Sequence, residues 1–151
     1  MTTLALRSTA HLLSVGMLLL AGCRDGVTEP TSNLARARAR WARSGPADYT
    51  LTISRSCQCP PESSGPVLVT VRGGAVVSRR YEFTGAPVAG TYAPLFPSVD
   101  GLFAKIESGL REGTRPQDIQ YHPTLGYPTR FVFGDPAVDD PVTQVTRFQP
   151  E

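Results

Sequence analysis

VLVTVRGGAVVSRRYEF, residues 67–83, sets two strand-like runs on either side of the pair Gly73 and Gly74. Two apolar, β-branched runs joined by two residues that tolerate positive φ are the signature of a tight hairpin. A hairpin needs a partner surface, because two strands alone are marginal in water. The segment before it supplies one: ADYTLTISR, residues 47–55, alternates Tyr49, Leu51 and Ile53 with Thr50, Thr52 and Ser54, which predicts a strand buried on one face. Beyond the hairpin, PSVDGLFAKIESGLREG, residues 97–113, carries Val99, Leu102, Phe103, Ile106 and Leu110 at helical spacing. Ser98 is placed to cap that helix, Asp100 suits its first turn and Gly113 lies past its end.

Three more short strands follow, QDIQY, TRFVF and VTQVTRF, separated by turn-forming Pro, Gly and Asp. Upstream, NLARARARWARSG, residues 33–45, predicts a helix with Asn33 as N-cap and Gly45 and Pro46 as its stop. Leu34, Ala37 and Trp41 fall on one face of it, Arg36, Arg40 and Arg43 on the opposite one, and Arg38 nearer the apolar side. The order is helix, three strands, helix, three strands. That pattern predicts an α+β fold, an antiparallel sheet of about six strands with two helices packed on one face, and it suggests two similar helix-plus-three-strand halves. One domain accounts for the 151 residues, and the 14 Gly and 14 Pro are dispersed as in a turn-rich fold rather than periodic.

The N-terminus reads as an export signal. Arg7 precedes an apolar run, Leu12 to Leu20, which is shorter than the roughly 20 residues a spanning helix requires, and small Ala21 and Gly22 follow. Leu20, Ala21, Gly22 and Cys23 resemble the lipobox of bacterial lipoproteins. The resemblance implies that residues 1–22 are a signal peptide, that the Cys23 thiol is acylated and becomes the first mature residue, and that residues 23–32 form a flexible tether to a single domain, residues 33–151. Two or three acyl chains hold such a protein on a membrane almost permanently. In lipoproteins an aspartate directly after the cysteine favours retention at the inner membrane. Arg24 stands there instead, so the expected location is the outer membrane facing the periplasm if the cell is Gram-negative.

Charge excludes one class of partner. Without Arg7 the chain carries 14 basic and 13 acidic side chains, too balanced for a nucleic-acid binder. The distribution is uneven: residues 24–80 hold nine Arg and four acids, and residues 81–151 hold five basic and nine acidic side chains. The arginine face of the first helix could lie on anionic headgroups, or be an ordinary solvated face.

Cys57 and Cys59, in SCQCPP, are the remaining cysteines and an even pair in an oxidising compartment. Residues two apart on a regular strand stand about 6 to 7 Å apart, too far for a disulfide, so a bridge requires the chain to bend before Pro60 and Pro61. A structural disulfide, a redox or metal-handling pair, and two free thiols are the alternatives. A metal site would have to add His122, the single histidine left after removal of His11. Asp135, Asp139 and Asp140 lack the spacing of a calcium loop and read as turn residues. With one histidine and no glycine-flanked serine elbow, no nucleophile and base can be assigned. The expectation is a non-enzymatic module without cofactor or metal, binding an envelope protein or a small ligand.

The succession DYTLTISRSCQC, VTVRGGAVV, SVDGLFAKI and YHPTLGYPTRF resembles a family of bacterial secreted proteins and lipoproteins catalogued as domain of unknown function six-one-seven-four, over most of the chain from Trp41 onward. The resemblance implies export and a domain rather than a reaction. Its members tend to carry an acid at the place of His122, which argues against a shared catalytic role for that residue. In the LGYPT turn, Gly126 permits positive φ and Pro128 fixes the next bend, with Tyr121 and Tyr127 on either side. Tyr121, His122, Gly126, Tyr127 and Pro128 are therefore a candidate binding surface, and the alternative is a turn whose tyrosines close the core.

Overall fold

The computed structural model describes residues 29–134 and 141–151. Strand β2 (Val67–Arg72) and strand β3 (Ala75–Tyr81) form the hairpin, with Gly73 at φ +56° and Gly74 at φ +78°, the left-handed pair that a two-residue turn demands. Strand β1 (Tyr49–Ser56) pairs antiparallel with β2 and carries the inward row Tyr49, Leu51 and Ile53 opposite Val71, Val69 and Val67. Strands β4 (Pro116–Tyr121), β5 (Pro128–Phe133) and β6 (Val142–Pro150) make a second meander. The two join through β1 and β6, giving one antiparallel sheet of order β3-β2-β1-β6-β5-β4.

Helix α1 (Glu29–Ser44) and helix α3 (Val99–Arg111) bury their apolar stripes against the inward side chains of that sheet in one core. Leu34, Ala37 and Trp41 come from α1, and Val99, Leu102, Phe103 and Ile106 from α3. Fully burying side chains of this size contributes about 1.5 to 3 kcal/mol each, which is what holds helices of this length in place. Ser98 caps α3, its Oγ accepting from the Gly101 N–H at 3.3 Å. The Val99 N–H, another orphan of that first turn, donates to the buried Tyr49 hydroxyl at 3.0 Å, so the sheet completes the cap.

Three local features depart from the expectations. Helix α1 begins at Glu29, taking in four residues assigned to the tether. Pro30 suits a first helical turn and Glu29 favours the positive end of the dipole, while Asn33 lies inside the helix and accepts from Arg36 instead of capping. Arg40, placed on the solvated face, is half-buried because the loop before β5 packs against that flank of the helix. A further one-turn helix, α2 (Pro61–Ser64), follows the cysteines. Pro61 starts it, and the Ser63 hydroxyl donates to the Pro60 carbonyl at 2.8 Å. The expected signal peptide, Cys23, the first part of the tether, and Asp135, Asp139 and Asp140 lie outside the described residues.

Candidate functional site

Strand β1 stops at Ser56, and the chain bends as a two-residue bridge requires. Cys57 and Cys59 are disulfide-bonded with their Cα atoms 5.2 Å apart, shorter than the extended spacing. The bridge is half-buried, and the Cys59 Sγ lies 3.4 Å from the Ser64 hydroxyl of α2.

His122 sits far from that corner. Its ring stacks on Tyr127 at 4.8 Å, Tyr127 stacks on Phe148 at 4.6 Å, and Phe148 packs on Tyr49 at the start of β1. Cys57 lies eight residues further along, roughly 26 Å at strand rise. The three potential ligands Cys57, Cys59 and His122 are thus not brought together, and among the described residues no group of three His, Cys, Asp or Glu side chains could hold a metal.

The LGYPT turn is inverted relative to a binding surface. Gly126 has φ +84°, as expected, and its N–H donates to the His122 carbonyl at 2.8 Å, while the Leu125 N–H donates to His122 Nδ1 at 3.1 Å. The turn so closed faces α1 and the core. Tyr127 is only 8% exposed, Pro128 is buried, and Tyr121 is half-buried, stacked on Phe103 at 6.3 Å. Apolar burial accounts for this: Trp41 offers three edge contacts, to Tyr49, Tyr127 and Phe148, and the tyrosine at the turn completes that cluster. Burial pushes the Tyr121 phenol up to about 12, and its hydroxyl has no hydrogen-bond partner among the described residues. The aromatic that does stand in solvent is Phe83, 86% exposed at the end of the hairpin.

A different place has the form of a binding site. Where α3 runs past the ends of β1, β6 and β5, helix and sheet enclose an open cleft of about 420 Å³, within the range of small-molecule sites. Arg55 enters from β1, continuing the inward row of Tyr49, Leu51 and Ile53, and Lys105 enters from α3. Phe131 and Phe133 supply an apolar wall, and Ser108, Thr114 and Thr143 supply hydroxyls. One Arg55 Nη1 hydrogen bond goes to the Ser63 carbonyl at 2.8 Å. Neither cation is within ion-pair distance of a carboxylate among the described residues. Burial lowers the Lys105 pKa, with the charge of Arg55 adding to it, and burial lowers that of Arg55 as well. Glu112 also lines the cleft and accepts from the Ser108 hydroxyl at 2.8 Å.

The sequence carries a signal for half of this site. An arginine at the fourth inward position of an otherwise apolar strand face is out of place unless the face opens there. Lys105 has no comparable mark, because it flanks the apolar stripe of α3 as any solvated lysine would, and only the packing of α3 on the sheet opposes it to Arg55.

No curated protein and no solved structure matches the sequence. The description Family of unknown function (DUF6174) matches residues 33–150, from α1 to the end of β6, and the chain belongs to that family.

Proposed function

We propose that the protein is a lipid-anchored domain of the cell envelope that acts as a non-enzymatic binding module, held at the outer membrane facing the periplasm in a Gram-negative cell. The observation that carries the binding half is the cleft between α3 and the sheet, where Arg55 and Lys105 meet and neither is within ion-pair distance of a carboxylate among the described residues. Half-buried cations are costly unless something answers them, so a cleft built this way favours an occupant. The envelope half is supported by the LAGC run ending at Cys23 and by the Cys57–Cys59 bridge, a bond that persists in oxidising compartments.

Metabolic labelling with palmitate tests the anchor. The native chain should take up label and partition into detergent, and Cys23→Ser should lose both. A native chain that never incorporates palmitate refutes the anchored reading. A second reading, thiol–disulfide exchange at Cys57 and Cys59, is favoured by the half-exposed position of the bridge. Equilibration in glutathione buffers tests it: a bridge that resists reduction across the buffer range leaves a structural role only.

A further inference from the structure

The cleft's charge and shape say more than that it binds. The chain contains a single lysine among its 15 basic residues, and that lysine, Lys105, is the one opposed to Arg55 across the gap between helix and sheet. The other arginines that pair do so on the surface with carboxylates: Arg38 with Glu107, Arg72 with Glu151, Arg130 with Asp118 and Arg147 with Glu82. Among the described residues that line the cleft, two positive groups and the carboxylate of Glu112 leave a net single positive charge. That balance fits a monoanion, and a dianionic phosphate would add repulsion from Glu112. The remaining lining is divided. Arg55 and Lys105 can hold an oxyanion with the Thr143 hydroxyl beside them, and Phe131 and Phe133 offer an apolar wall within the same cleft.

We infer that the cleft between α3 and the β1–β6–β5 end of the sheet is a binding site for a small organic monocarboxylate, its carboxylate held by Arg55 and Lys105 and its apolar body lying against Phe131 and Phe133. This rests on the reading of the domain as a binding module and names the chemistry of what it takes. The bound carboxylate supplies the direct ion-pair partner that neither cation has among the described residues.

The single lysine makes the test direct. The full chain in detergent, reductively methylated with ¹³C so that the charge is kept, reports Lys105 as one dimethyl-lysine resonance. The probes are phenylacetate and its neutral isostere phenylacetamide. Phenylacetate should shift that resonance saturably and raise the Lys105 pKa, and phenylacetamide should bind at least about tenfold more weakly. Arg55→Gln should weaken phenylacetate binding by a similar factor. No saturable shift with phenylacetate, or an equal response to both probes, overturns the proposal without any variant that must fold. So does an internal counter-charge: if Asp139→Asn with Asp140→Asn lowers the Lys105 pKa in the unliganded protein, those residues already occupy the role assigned to the ligand. Inorganic phosphate displacing phenylacetate at a lower concentration than acetate does would overturn the preference for a single charge. Failure of the anchor is read separately, since Cys23→Ser leaves this titration unchanged.

Discussion

Replacing Gly126 by alanine tests how the chain docks its first helix. At φ +84° an alanine bears a left-handed backbone, which costs about 1 to 2 kcal/mol. The added Cβ would also fall inside the contact radius of the Ala37 carbonyl oxygen and 2.9 Å from the Arg40 Cβ, so the turn and α1 must separate. Overpacking of this kind costs about 1 to 3 kcal/mol more. The combined loss is about 2 to 5 kcal/mol, which at a urea slope near 2 kcal/mol/M moves the midpoint by about 1 to 2.5 M. Gly74→Ala is the control, because Gly74 has φ +78° and nothing within 4 Å of its added Cβ, so it should show the backbone cost alone. Trp41, the single tryptophan and a buried one, reports unfolding by fluorescence in both variants. If Gly126→Ala shifts the midpoint no more than Gly74→Ala does, the loop before β5 does not lie against α1 and the reasoning fails.

Three further outcomes are expected. Tyr121→Phe removes a buried hydroxyl that has no partner among the described residues and should be neutral or stabilising at pH 7, by up to about 1 kcal/mol in a urea titration. In the native chain burial holds the Tyr121 phenol proton more tightly than the unfolded chain does, with a pKa of about 12 against 10.0. Its contribution is therefore intact below pH 10 and is lost between pH 10 and 12 at up to roughly 1.4 kcal/mol per pH unit, and Tyr121→Phe should flatten that limb of the stability profile. Tyr49→Phe keeps the ring but leaves the Val99 N–H of α3 unanswered, which should cost about 1 to 3 kcal/mol and speed hydrogen exchange at Val99 above all. Because the Cys57–Cys59 bridge closes a loop of only three residues, replacing both by serine should lower the unfolding free energy by no more than about 1.6 kcal/mol.

Some of this molecule can be read along the chain because it depends on neighbours in sequence. The period-two row Tyr49, Leu51 and Ile53, the Gly73–Gly74 turn and the 3.6-period stripe of Val99 to Ile106 are each set by local sterics and by which side chains avoid water, and they yield the α+β class and the two meanders directly. The bend at the cysteines follows likewise, since Pro60 and Pro61 end a strand whatever lies across from it. What packing decided is where these pieces face. Tyr121, Tyr127 and Pro128 occur in a turn, and turns are usually wet, yet Trp41 of α1 and Phe148 of β6 take Tyr127 inward although both are distant in sequence. Arg40 left the solvated face for the same reason, a loop from the other half covering it. Arg55 and Lys105, fifty residues apart, share a cleft only because α3 crosses the end of β1. Local sequence fixes which elements form, because hydrogen bonds and hydrophobic periodicity act over a few residues. Only the closing of one half on the other determines which charged groups lose water together, and therefore where a ligand can be held.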